Sequence, residues 1–128
     1  MARAQRSPHP GQRPPPYSFP DQDARRAADE ARELAEALRT MASQLDADTQ
    51  DLARGGFSGV FATWVFDHVG TRRESLEAMA RQLVDQADQI DQLRLRADHA
   101  HEARTVEIAR HDAAYARWRD WRPPVGVR

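Results

Sequence analysis

Two long polar stretches rich in alanine and arginine are interrupted by one short patch, Gly55-Gly56-Phe57-Ser58-Gly59, with the apolar run Val60-Phe61-Ala62-Thr63-Trp64-Val65-Phe66-Asp67-His68-Val69 behind it. The patch and run hold three of the four phenylalanines and one of the three tryptophans. A glycine pair ends a helix at little cost, because glycine accepts the left-handed conformation common at helix C-termini, and Ser58 can cap a following helix through its hydroxyl. The patch therefore predicts a chain reversal between two helices.

The first helix is expected to start at Asp21, where Pro20 sets the entry and Asp21 and Asp23 suit the positive end of the helix dipole. Ala24, Ala27, Ala31, Leu34, Leu38, Met41, Leu45, Asp48 and Leu52 alternate in steps of three and four up to about residue 54, the spacing of a coiled-coil seam. Asp48, the polar member, is a candidate to set register or to meet an arginine across the interface. After the bend, Val60, Phe61, Trp64, Val65 and His68 share one face while Phe66 and Val69 point elsewhere, so this segment should be covered on two sides. Gly70-Thr71-Arg72-Arg73-Glu74 reads either as a capping box that kinks or restarts the helix or as a glycine tolerated within one continuous helix.

Leu76, Met79, Leu83, Gln86, Ile90, Leu93, Ala97 and Ala100 repeat the three-four alternation and supply the second wall. Past Ala100 the apolar positions shift to Val106, Ile108, Tyr115 and Trp118, and Pro123-Pro124 ends the helix. That last stretch either extends the second helix or folds back. The expected fold is all-α: a Pro/Arg-rich disordered or polyproline arm over 1–20, an antiparallel two-helix hairpin over 21–104, a helical extension over 105–122 and a tail over 123–128.

Composition narrows the function classes. The longest apolar run is about half the roughly 20 residues that span a bilayer. The chain has no cysteine, which excludes disulfides and thiolate chemistry. No apolar core follows the early arginines, so no Sec-type signal peptide is expected. With Arg3, Arg6, Arg13 and Arg128 set aside, 15 arginines face all 20 acids between residues 21 and 122. An acidic body argues against wholesale binding to phosphate backbones, although the Arg and aromatic ends leave nucleic-acid binding as a minor reading. His99, His101 and His111 are not spaced to place two imidazoles on one helical turn for zinc, and no phosphate loop or nucleophile elbow occurs. No enzyme, cofactor or metal is expected.

A helix of about 30 residues, an aromatic-X-Gly bend and a second amphipathic helix together resemble the WXG-type, early-secreted-antigen-like hairpins of actinobacterial type VII secretion. The resemblance covers residues 21 to 104. Phe57-Ser58-Gly59 stands where that family has Trp-X-Gly, with Phe61, Trp64 and Val65 following. The chain departs from the family's Tyr-X-X-X-acid export signal, since Tyr115 and Asp120 are five apart, one step too far, and it departs again in its Pro-rich arm and long C-terminal extension. The resemblance implies a small chain made in the cytoplasm and exported, if at all, by a type VII route, acting as a secretion substrate or chaperone-like companion.

A two-helix unit of this size buries little, so a protein partner, a second copy or a related hairpin, is expected. The stripes assigned to that four-helix interface are Leu34, Leu38, Met41, Leu45, Phe61, Leu76, Leu83 and Ile90. A purely structural coiled-coil component is the alternative. Tyr115, Trp118, Asp120 and Trp121, in an Arg-rich setting, form either a recognition element or an aromatic staple onto the chain's own helices.

Overall fold

The computed structural model describes residues 5–125, so Arg3 and Arg128 lie outside the described residues. Two helices account for the regular structure of that span, α1 (Asp21–Arg54) and α2 (Val60–Arg119). The chain divides into two bodies, one of residues 20–94 and one that joins the arm, 5–19, to 95–125. The hairpin body spans 20–94, where the expected domain runs to 104, and the arm over 5–19, with neither helix nor strand, groups with residues 95–125.

In the hairpin body α1 packs along the first part of α2. The α1 residues turned inward are Ala24, Ala28, Ala31, Ala35, Leu38, Ala42, Leu45 and Thr49, which step by three and four without interruption. On α2 the matching set is Ala62, Phe66, Val69, Arg73, Leu76, Ala80, Leu83, Ala87, Ile90 and Arg94. At the centre, Ala35, Leu38 and Ala80 form a buried cluster against which Leu76, Leu83 and Val84 pack. Six of the seven buried residues of this body are alanine. Small side chains allow the two backbones to approach closely, but an alanine removes only about one methyl from water, worth on the order of 0.8 kcal/mol. The seam is narrow and its hydrophobic yield is low.

The expected seam is corrected by half a register. Its members Ala24, Ala31, Leu38 and Leu45 do face α2, whereas Ala27, Leu34, Met41, Asp48 and Leu52 are exposed. Asp48 does not cross the interface: its carboxylate accepts from Gln44 Nε2 on the same helix at 2.8 Å, and it is Asp46 that meets an arginine of the opposite helix.

The reversal uses the glycines in a defined way. Gly55 ends α1 with an ordinary helical φ, and Gly56 takes a φ of +84°. The N–H of Gly56 donates to the carbonyl of Ala53 at 3.2 Å, and that of Phe57 to the carbonyl of Leu52 at 3.1 Å. This pair of bonds is the Schellman closure, which needs a left-handed residue where Gly56 stands. Gly59, at φ +105°, then opens α2 by accepting from the Thr63 N–H at 3.0 Å, so the first turn is closed by this carbonyl and not by the Ser58 hydroxyl.

α2 runs without interruption through Gly70 and past Ala100 to Arg119. Thr71 does not cap a new helix, because its hydroxyl donates to the Asp67 carbonyl one turn back at 3.0 Å. The stretch after Ala100 therefore extends the helix. No helix of the described residues is long and apolar enough to cross a membrane.

The two glycines make opposite predictions. Gly56→Ala should destabilise the chain by about 1–2 kcal/mol, the cost of forcing an L-residue into the left-handed region. Gly70→Ala adds a methyl with no atom within 4 Å and should stabilise by about 0.5–1 kcal/mol. Denaturant titration followed by circular dichroism measures both.

Candidate functional site

With Ala28, Ala35 and Ala42 at one seam position and Ala31, Leu38 and Leu45 at the other, the residues beside the seam fall on two flanks that the heptad keeps apart. One flank is charged. Arg32 Nη2 donates to Asp88 at 3.1 Å and also to the Asp91 carboxylate, and Arg73 Nη1 donates to Asp46 at 2.7 Å. Arg39 shares a cleft on this flank with Ser43, Glu77 and Arg81. Asp21 closes the far end of the seam by accepting from Arg94 Nε at 2.9 Å.

The other flank carries Leu34 and Met41 from α1 and Met79, Gln86 and Leu93 from α2, the residues one step before each seam position. Leu34, Leu38, Met79, Gln82, Leu83 and Gln86 line an open groove there. Leu34, Met41, Met79 and Leu93 each keep between 50% and 54% of their surface exposed. No charged pair crosses on this side among the described residues.

Of the eight residues expected to meet a partner, Leu38 is buried and Leu45, Leu76, Leu83 and Ile90 are half-buried in the hairpin's own seam. Only Leu34, Met41 and Phe61 remain outside. Met79 and Leu93 join them, having been counted in the second wall. Among the seam alanines, Ala35, Ala42 and Ala80 each follow a larger apolar residue, Leu34, Met41 and Met79, that competes for the same spacing, while Ala28 and Ala87 follow Ala27 and Gln86.

A second exposed surface lies just after the bend. Phe57 is half-buried, its ring edge-on to Phe61 at 6.2 Å and to Phe66 at 5.8 Å. Phe61, Trp64 and His68 stack in series, with centroids 6.0 Å and 5.2 Å apart. Phe61 is 67% and Trp64 60% exposed, so this ladder is open to solvent and the expected cover on two sides is not formed among the described residues. Ser58 and Gly59 are exposed at the turn.

In the second body, the arm lies antiparallel to α2 along its half-buried positions Ala100, Arg104, Ile108, His111, Ala114 and Trp118. Arg6 donates from Nε and Nη2 to the Trp118 carbonyl at 3.1 and 2.7 Å, while its guanidinium carbon sits 3.8 Å over the Trp118 ring. The His9 ring stands edge-on to Trp118 at 4.6 Å and to Tyr115 at 5.9 Å. His111 Nε2 donates to the Gly11 carbonyl at 2.8 Å, Arg13 forms a two-point pair with Asp112 at 3.1 and 3.2 Å, and Arg104 donates to the Pro15 carbonyl at 2.8 Å. Tyr115 and Trp118 are therefore occupied by the arm. Asp120 is paired with its neighbour Arg119, and Trp121 is half-buried.

No family model matches the chain, and no curated protein or solved structure shows significant similarity to it.

The ion pairs set a pH dependence. The hydrogen bond from Arg94 holds the Asp21 carboxyl below the usual carboxylate range, and the one from Arg32 does the same for Asp91. In the arm body, Arg13 and then His111 lower Asp112. A carboxyl depressed on folding contributes stability that is present above its unfolded value, about 4, and lost as pH falls through its folded value. The thermal midpoint should fall as pH is lowered from about 5 towards about 1, and the fall should shrink in about 1 M salt, which screens exposed pairs. Melts followed by circular dichroism at both ionic strengths check this.

Proposed function

We propose that this chain is a non-enzymatic helical hairpin that pairs with a second hairpin, its own copy or a related chain, into a four-helix bundle. The observation that carries the reading is the asymmetry of the flanks: charges bridge one side of the alanine seam, while the other offers Leu34, Met41, Met79 and Leu93 with half their surface in water. Covering the exposed half of each contributes on the order of 1 kcal/mol. Eight such side chains across two copies contribute on the order of 8 kcal/mol, within the range of roughly 4–15 kcal/mol that association costs. Antiparallel hairpins joined along such flanks bury them mutually, as four-helix bundles do.

In the light of the WXG-type resemblance, this pairing unit is a type VII secretion substrate or the chaperone-like companion of a secreted effector, made in the cytoplasm and leaving by a non-Sec route if exported. That part of the reading is supported by the Phe57-Ser58-Gly59 reversal between two amphipathic helices. The solvent-facing ladder of Phe61, Trp64 and His68 favours a second reading, a structural coiled-coil subunit that assembles through two surfaces.

Sedimentation equilibrium at low micromolar concentration tests the proposal. The expected result is the mass of a dimer, or of a one-to-one complex with a co-purifying hairpin. Leu34→Gln combined with Met79→Gln should abolish pairing while leaving the helical circular dichroism in place. A folded monomer overturns the reading, and a larger assembly decides for the structural subunit.

A further inference from the structure

The described part of the arm, residues 5–19, has neither helix nor strand, and five prolines stand among its 15 residues. Proline fixes φ near −65°, so such a segment loses little conformational freedom when it is laid out straight on a surface. Along α2 it meets a graded set of partners. Arg6 reaches one of the last carbonyls of the helix, which have no partner within the helix itself, at the negative end of the dipole. The Tyr115 and Trp118 rings receive His9, the Gly11 carbonyl is read by His111, and Asp112 takes Arg13 in a two-point pair. The rings take Arg6 and His9, and the prolines between and after these contacts keep the backbone extended so that the contacts fall at fixed spacing along the helix.

The hold is shallow. Pro10, Pro14, Tyr17 and Phe19 are only half-buried, the rest of the described arm is exposed, and Arg13 and Asp112 each keep half their side chain in water. What maintains such a contact is that it forms within one chain, which spares it the cost of bringing two molecules together.

We infer that residues 104–118 of α2 form a recognition surface for an extended, proline-rich, arginine-bearing segment of a partner protein, and that the chain's own arm occupies this surface until such a segment displaces it. A second copy offers the same arm with the same contacts, so exchange between copies gains nothing over the intramolecular arrangement, whereas a segment carried by another protein gains where the body of that protein adds contacts beyond residues 104–118. The inference does not depend on hairpin pairing, since it concerns other residues.

The test uses the full chain and a fluorescein-labelled synthetic peptide identical to residues 5–19. Fluorescence anisotropy should show the Arg6→Ala/Arg13→Ala chain, with its own arm weakened, binding the peptide at least ~10-fold more tightly than the unaltered chain. In that background Trp118→Ala and, independently, Asp112→Asn should each weaken binding by roughly 10-fold. A peptide of the same charge with alanine at every proline should also bind about 10-fold more weakly. Equal affinity for the two peptides, or for the two chains, overturns the inference. Copies carrying His9→Cys mixed with copies carrying Tyr115→Cys should give no disulfide-linked dimer, and because the native chain lacks cysteine, such a dimer would assign the surface to arm exchange instead.

Discussion

The structure of the hairpin depends on the contact between alanine faces. Ala28, Ala35 and Ala42 on one helix and Ala62, Ala80 and Ala87 on the other let the backbones come close, and Leu38 is the one large side chain buried with them. Close approach brings the flanking side chains within reach of the opposite helix, which is why Arg32 spans to Asp88 and Asp91 and Asp46 to Arg73. The same choice leaves the larger apolar side chains at the edge. A seam of leucines would have drawn Leu34 and Met79 deeper into contact; a seam of alanines has no depth to receive them. The exposed apolar flank is thus a consequence of the small-residue core and not an independent feature.

The reversal and the arm serve two bodies by different physics. At residues 52–57 the backbone itself does the work: a left-handed glycine closes two hydrogen bonds and ends α1, and no side chain is required to specify the turn. Along 104–118 the backbone of α2 is fully satisfied except at its end, so recognition there falls to side chains and to the orphan Trp118 carbonyl that Arg6 takes. Arginine is suited to this because its planar head can stack on an indole while donating two bonds in its own plane.

Much of the fold was legible from periodicity and helix breakers. The helix ends at Asp21 and Arg54 follow from Pro20 and the glycine pair, and the three-four alternation on both sides of the bend required two walls. The side chains that fill the seam were harder to read. Ala28 and Leu34, or Ala80 and Met79, lie within one heptad and both sets step by three and four, so hydrophobicity alone favoured the larger residues. Packing favoured the smaller ones, which form a narrow seam flanked by the pairs of Arg32 and Arg73 with their acids. The candidate surfaces were visible only in outline for this reason: the eight residues assigned to a partner mixed the inner seam with the outer flank. The arm's composition gave its extended character but not its place. A proline-rich, acid-free segment has no core of its own, and nothing local reveals that a helix about a hundred residues away presents Asp112, Tyr115 and Trp118 at matching intervals.

The sequence alone determined two helices, their reversal at Gly55–Gly59 and the absence of thiol chemistry, because helix periodicity, glycine conformations and residue types are local properties of the chain. Tertiary structure decided which of two adjacent stripes is buried, that α2 passes through Gly70 to Arg119 and that the arm is bound, because each turns on a competition between distant surfaces for the same side chains.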